Sequence, residues 1–204
     1  MRKVRDHYFM RAKREGYLAR SVYKLQEADS RFRFLRPGGV VVDLGAAPGS
    51  WTQFAASRVG ERGLVVAVDL HEVKAGGPRV RVVKEDCFQV TPQRLRELVA
   101  REGLPGVDVV LSDMAPRTSG NRSRDHLRSM ALAERGLELA LALLGPRGVF
   151  FCKVFQGSEF DPFLRRCRGV FETVRVFKPK SSRKESVETF LFCRALRRSD
   201  HDAV

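Results

Sequence analysis

The sequence predicts an α/β fold, a mostly parallel sheet of seven strands with helices on both faces. Three observations predict it. Short β-branched apolar runs recur along the chain, segments with helical spacing separate them, and the first run ends in a turn of very small residues. The first strand is GVVVDLG (39–45). The segment SWTQFAASRVG (50–60) follows with helical periodicity and a glycine stop. LVVAVDL (64–70) and VRVVKEDC (80–87) are the next strands. TPQRLRELVAREG (91–103) reads as a helix capped by Thr91, with Pro92 in the first turn and Gly103 as its stop. VDVVLSD (107–113) is a strand, about 123–144 a long helix, and GVFFCKVF (148–155) another buried strand. ETVRVFK (172–178) and VETFLFCRAL (187–196), separated by the polar stretch PKSSRKES, are expected to form an antiparallel pair at the sheet edge. Residues up to about Phe34 read as helical and lie outside the sheet. The 204 residues are expected to form one domain: a basic helical segment (1–36), the core (37–196) and a short tail (197–204).

Composition limits the partners. With 43% hydrophobic and 30% charged residues the chain reads as globular and soluble. The longest apolar stretch, 137–144, is too short to span a bilayer, and the N-terminus lacks the apolar core of a signal peptide, so a cytosolic location is expected. Cys87, Cys152, Cys167 and Cys193 are widely spaced, as are the four histidines. Buried free thiols and no metal site are therefore expected. The net charge of +14 is unevenly placed. Residues 1–36 carry 11 Lys/Arg against 4 Asp/Glu, residues 37–164 carry 16 against 15, and residues 165–198 carry 11 against 3. Two basic flanks around a neutral middle suit a polyanion-binding surface assembled from both ends of the chain; a merely solvated basic surface is the plainer alternative.

The segment from Val42 to Trp51, VDLGAAPGSW, runs from a strand through a turn of small residues into a helix. Gly45 and Gly49 would let a ligand lie against backbone beyond the carboxyl end of the strand. Asp69 ends the next strand, where a carboxylate can accept from both hydroxyls of an adenosine ribose. A dinucleotide would need backbone amides at its pyrophosphate, but Pro48 has none to offer. The sulfonium of S-adenosylmethionine suits the acidic Asp43 better, which makes that methyl donor the expected cofactor. Asp86, after the third strand, is a candidate for the adenine amino group or an ordinary loop carboxylate. Trp51 either flanks the cofactor or packs in the core.

The fourth strand ends in SDMAP (112–116), with no aromatic after the aspartate to stack on a base, which disfavours base N-methylation. Lys153 interrupts an otherwise apolar strand and is costly to bury alone. Asp113 and Lys153 end consecutive strands, so a mutual ion pair is expected; a snorkelling edge lysine is the plainer reading.

With these pieces in view the chain resembles the FtsJ-type ribose 2′-O-methyltransferases, Rossmann-like enzymes that use S-adenosylmethionine and a Lys-Asp-Lys-Glu tetrad. The resemblance covers about residues 6–195. It rests on AKREGYLARSVYKLQEAD (12–29), VDLGAAPGSWTQ (42–53), LSDMAPRTSG (111–120), KVFQG (153–157) and KPKSSRKESVE (178–188), in that order. It implies Lys24, Asp113, Lys153 and Glu188 as the tetrad. It also implies Gly49, Trp51, Asp69, Asp86 and Asp113 as cofactor contacts. The tetrad suits the chemistry: a ribose hydroxyl is a weak nucleophile, in-line attack on a methyl group depends on positioning, and Lys153 is the group to assist loss of the proton. Lys24 would add positive charge and orient the hydroxyl, with Asp113 and Glu188 holding the two lysines.

Each basic flank is tied in sequence to one tetrad residue, Lys24 or Glu188, so the basic surface is expected to border the cleft. Arg2, Lys3, Arg5, Arg11, Lys13, Arg14 and Arg20 would supply one side, and Lys178, Lys180, Arg183 and Lys184 the other. The stretch 180–186 is expected to be a mobile loop that orders on RNA. Only RNA offers the 2′-hydroxyl. Within the resembled family the GAAPG loop, in place of the CAAPG of tRNA-modifying members, implies large-subunit ribosomal RNA, or the large ribosomal subunit, as the partner of a monomeric enzyme. A tRNA ribose methyltransferase and a non-catalytic ribosome-assembly factor are the alternatives.

Overall fold

The computed structural model describes residues 7–116, 119–183 and 186–197. Helices α1 (His7–Arg14) and α2 (Val22–Phe32) precede β1 (Val40–Leu44), α3 (Ser50–Val59), β2 (Leu64–Asp69) and β3 (Val80–Lys84). Then come α4 (Pro92–Arg101), β4 (Val107–Ser112), α5 (Arg122–Leu143), β5 (Leu144–Phe155), α6 (Phe160–Val170), β6 (Phe171–Phe177) and β7 (Glu188–Leu196). The strands form one seven-stranded sheet in the order β3-β2-β1-β4-β5-β7-β6. The first five run parallel, and β7 pairs antiparallel with both β5 and β6. The expected antiparallel pair is present, but β7 lies inside the sheet and β6 takes the edge.

Alternation along the strands divides the core. Val40, Val42, Leu44, Phe150, Cys152 and Val154 face α4, α5 and α6. Val41, Val109, Leu111, Phe151 and Phe190 face α2 and α3. The expected cap of α4 holds, with Thr91 Oγ1 accepting from the Arg94 N–H and Pro92 in the first turn; Asn121, not singled out from the sequence, caps α5 in the same way. Asp29 shapes the passage from α2 to β1. Its carboxylate accepts from the Phe34 and Leu35 N–H groups at 3.1 and 2.9 Å and pairs with Arg58. All four cysteines are free; three are buried and Cys87 is half-buried. Among the described residues no helix is long and apolar enough to cross a membrane, and no group of His, Cys, Asp or Glu is placed to hold a metal ion.

Helix α6 is an element that the strand-by-strand reading of the sequence passes over. Phe163, Leu164 and Cys167 bury its apolar stripe on the α5 side, which aims Arg165, Arg166 and Arg168 away from the sheet. Arg166 pairs with Glu134 of α5. These three arginines belong to the second basic flank in sequence, yet lie on the layer opposite α2. The cleft residues expected from this flank are Lys178, Lys180, Arg183 and Lys184; the helical crossover on the other face carries the earlier part of the flank's charge away from them.

Candidate active site

Strand order places three carboxylates side by side. Asp69 ends β2, Asp43 is the fourth residue of β1, and Asp113 follows β4, with β1 in the middle. Asp43 is fully buried. Its Oδ2 accepts from Thr52 Oγ1 at 2.7 Å, while Oδ1 is buried without a hydrogen-bond partner. Burial drives its pKa up to about 7; the charges of Asp113 and Asp69 add to this, and the Thr52 bond opposes it. Three acidic groups converge, and among the described residues the cation paired with them is Lys153, beside Asp113. This is a setting for a positively charged ligand rather than for a phosphate.

Asp69 supports the small-residue turn itself. Its Oδ2 accepts from the Ala47 N–H at 2.9 Å and its Oδ1 from the His71 N–H at 2.7 Å. Asp86 lies in the turn after β3 and accepts from the Phe88 N–H at 3.0 Å. Gly45 (φ +75) and Gly49 (φ +118) are needed first for protein packing against protein. A Cβ on Gly45 would sit 2.9 Å from the Met114 backbone nitrogen, and one on Gly49 only 2.5 Å from Ala75 Cβ. The turn is narrow because the neighbouring segments press on it. Trp51, 2% exposed, is a core aromatic: it stacks on Phe151 and donates from Nε1 to the Ser21 carbonyl at 2.8 Å. It fixes the start of α2, and with it Lys24.

The four tetrad residues meet as two ion pairs. Lys24 Nζ lies 2.7 Å from Glu188 Oε1 and 2.8 Å from Oε2. Lys153 Nζ donates to the Asp113 carbonyl at 2.7 Å and lies 3.1 Å from Asp113 Oδ1, an ion-pair approach whose angle makes no second hydrogen bond. Lys153 pairs with Phe190, and Phe155 with Glu188, across β5 and β7. Directly opposed residues share a face, as do alternate residues on one strand, so Lys153 and Glu188 are diagonal neighbours on the α2 side. Lys24 reaches the same place from α2, 5.8 Å above the Phe190 ring. Burial tends to raise the pKa of Glu188, but the charge of Lys24 and its bond outweigh this, with Ser182 and Lys153 helping, and the net shift is downward.

Three supports escape a reading by motif. Ser182 Oγ donates to Glu188 Oε1 at 2.9 Å, Thr52 holds Asp43, and Glu27 accepts from the Lys180 and Ser181 N–H groups at 2.7 and 2.9 Å. Hydroxyl and carboxylate side chains this common carry no periodic signal. The Glu27 contacts hold the start of the stretch 180–186, expected from the sequence to be a mobile loop that orders on RNA. Ser181 is buried and its carbonyl accepts from Arg20, so residues 180 and 181 are tied to α2 and to the loop before it; residues 184 and 185 lie outside the described part. Lys178, assigned from sequence to the RNA surface, donates to the Ser186 and Glu188 carbonyls, which shapes the strand entry. Arg20, Lys24, Arg183 and Glu188 line a small cleft beside the tetrad. Arg2, Lys3, Arg5 and Lys184 lie outside the described residues.

Comparison with known proteins agrees with this geometry. A family profile described as FtsJ-like methyltransferase matches residues 17–196. A protein of Syntrophobacter fumaroxidans named ribosomal RNA large subunit methyltransferase E is 51% identical over 196 residues, covering 96% of this chain and 98% of that one. A protein of the same name from Desulfosudis oleivorans is 45% identical, covering 98% and 95%. The crystal structure of a Plasmodium falciparum protein assigned as a ribosomal RNA methyltransferase superposes with a TM-score of 0.77 at 26% identity, covering 88% of this chain and 98% of that one. Human methyltransferase-like protein 13, solved with S-adenosylhomocysteine, shares the fold at a TM-score of 0.57 and 18% identity, over 85% and 81% of the two chains. A profile match over most of the chain, close relatives along its full length and the two-pair tetrad at the strand ends lead to one conclusion: the chain belongs to the FtsJ-like methyltransferase family.

Proposed function

We propose that this chain transfers a methyl group from S-adenosylmethionine to a ribose 2′-hydroxyl of large-subunit ribosomal RNA, in the cytoplasm and without a metal. The observation that carries this reading is the pair of ion pairs Lys153–Asp113 and Lys24–Glu188, placed on one face at the ends of β4, β5 and β7. The names of the relatives support ribosomal RNA over tRNA as the substrate. Asp43, Asp69 and Asp113 would hold the donor, with Asp86 in reach on the neighbouring turn; Gly45 and Gly49 shape the turn, and Trp51 supports it from below. The donor supplies an electrophilic methyl carbon on a sulfonium. Asp113 and its carbonyl fix Lys153, whose remaining N–H groups would donate to the hydroxyl oxygen and orient a lone pair. The oxygen–methyl bond forms as the sulfur–methyl bond breaks, leaving S-adenosylhomocysteine, and the hydroxyl proton passes to solvent. Glu188 fixes Lys24 beside it, and Arg20 and Arg183 at the cleft mouth would receive phosphates flanking the target. Labelled methyl transfer to ribosomal RNA, to large subunits and to tRNA, with nucleotide mapping, tests the proposal. Transfer to tRNA alone, or to none of them, would sink it.

Asp43 gives a test of the donor site. In the donor-free protein its carboxyl keeps its proton up to about pH 7, whereas the unfolded chain releases it near 3.8. The folded state therefore holds more protons between those values. The stability this group contributes is fully present below the lower value and is lost as pH rises through the upper one. Melting without donor is expected to show Asp43→Asn gaining on the parent protein from about pH 4 to about pH 8. Donor affinity of the parent should fall as pH drops through about 7, because the cation favours the carboxylate, and that of the variant should stay flat. Equal pH profiles for the two proteins would remove Asp43 from the donor site.

Glu27 gives a test of the cleft wall. Glu27→Ala frees the Lys180 and Ser181 N–H groups, and trypsin is expected to cut faster after Lys180 and Arg183. Methyl transfer should fall with it, since Ser182 and Glu188 lose their frame. Cleavage at the parent rate would show that the segment is held by other contacts.

A further inference from the structure

The basic residues do not all gather at the cleft. Arg36 precedes β1, Arg147 lies in the first half of β5 and Arg194 near the end of the antiparallel β7. All three line a cavity at the amino-terminal ends of β1, β4 and β5, the pole opposite the tetrad. Arg147 and Lys153 are six positions apart on β5, about 20 Å along the strand. The methylated nucleotide therefore does not reach this cavity.

The cavity is electrostatically unsatisfied. Among the described residues no carboxylate forms an ion pair with Arg36, Arg147 or Arg194. Asp108, the acidic residue on its wall, accepts from the Val40 N–H at 2.8 Å. Arg194 is half-buried; it donates to the Phe32 carbonyl at 2.8 Å and lies 4.9 Å over the Phe192 ring. Burial lowers its pKa and nearby Arg36 lowers it further, as expected where two guanidinium groups share a space without a counter-ion.

The surface also provides a route to it. A groove between α1, α2 and the end of β6 is lined by Arg11, Arg31, Lys178 and Lys180, with Tyr8 and Tyr23 among them; its one acidic lining residue, Glu27, has its carboxylate engaged by the Lys180 and Ser181 N–H groups. It shares Gln26 and Ser30 with a second depression along α2, and that one shares Leu35, Arg36 and Pro37 with the far cavity. Helix α2 starts at the cleft, beside Ser21 and Lys24, and ends at this pole. Its 11 residues bridge about 16 Å. Cations along three adjoining depressions, interleaved with aromatic rings in the first, suit a nucleic-acid strand more than a small anion.

We propose that this track is a second RNA-phosphate surface: a segment of the substrate RNA remote from the methylated nucleotide runs down α2 and seats phosphates on Arg36, Arg147 and Arg194. The proposal rests on RNA being the substrate. It explains why the basic flanks exceed what the cleft can hold, and it favours a large structured RNA over a short strand.

The test uses the full chain and unmethylated large-subunit ribosomal RNA, with binding measured across a salt series. Arg36 and Arg147 are exposed, so Arg36→Gln/Arg147→Gln should fold as the parent does, checked by its melting temperature. The salt slope is expected to flatten by about two, with affinity down about tenfold at moderate salt. KM for the RNA should rise while kcat and donor affinity stay unchanged. Arg183→Gln, at the cleft, serves as the comparison. If the cleft variant loses RNA affinity and the far-pole variant keeps its slope and KM, the track falls and the RNA reading stands. If the parent protein neither binds nor methylates the RNA, the functional reading falls first. Titration with inorganic phosphate provides a last arm: phosphate binding that the far-pole variant loses, with RNA affinity unchanged, marks a small-anion site and overturns the proposal.

Discussion

Replacing Lys153 with methionine is expected to lower the methyl-transfer rate by about two to four orders of magnitude, the range for a group that positions and assists a proton transfer. Methionine keeps the unbranched stem, so packing between β4 and β7 survives and no cavity opens. The ammonium is lost, and with it the hydrogen bond to the Asp113 carbonyl and the ion pair to its carboxylate. Asp113 is then left without its cation beside two other acidic groups, a change that favours a cationic donor. Donor affinity is therefore expected to hold or rise while kcat collapses. Equilibrium binding of the labelled donor, set beside single-turnover transfer, separates the two effects. A variant that transfers at the parent rate would take Lys153 out of the reaction. A variant that loses donor binding along with rate would make it a structural residue of the donor site.

Gly45→Ala is the second large effect, and it falls on the fold. The residue sits at φ +75, where an L side chain is strained. Its Cβ would meet Met114 Cγ at 2.7 Å and the Met114 Cα and nitrogen at 2.9 Å. A side-chain rotation relieves only the first of these. The backbone after β4 must move, which breaks the Asp113 N–H bond to the Leu44 carbonyl, 3.2 Å in the parent. Strain and overpacking together are expected to cost about 3 kcal/mol, a drop of about 6–12 °C in melting temperature for a domain of this size. The displaced Asp113 carries Lys153 with it, so activity should fall even below the melting transition. A melting temperature within about 2 °C of the parent would show that the turn has room which the geometry denies it.

The sheet was readable because its signal is local. Five β-branched runs with helical spacers, a capped α4 and a long α5 can be read within windows of about ten residues, and each reappears within a few positions. Helix α6 was harder to read. DPFLRRCRG has an amphipathic stripe, but it sits directly between two strands, with no break before β6. The place of β7 inside the sheet was not readable at all, because strand order depends on which edges remain open after the parallel strands have paired.

The same division runs through the site. Lys153 showed itself by breaking an apolar strand, and Asp43 by its place before the GAAPG turn. Lys24 and Glu188 carry no such local mark, and resemblance alone singled them out. They are 164 positions apart and meet through a 2.7 Å ion pair only because α2 packs over the strand that returns between β5 and β6. Thr52, Ser182 and Glu27 are ordinary residues until the fold places them.

What the sequence determined by itself was the class of fold, the carboxylate-lined turn and the Asp113–Lys153 half of the tetrad, since periodicity, small-residue turns and a misplaced charge are properties of neighbouring positions. What only the tertiary structure decided was where the positive charge goes. Two flanks that look alike in sequence are divided by α2 and α6 among the catalytic cleft, the opposite layer and the far pole. Net charge is a sum over residues and carries no direction, whereas binding depends on which side of the sheet each arginine faces.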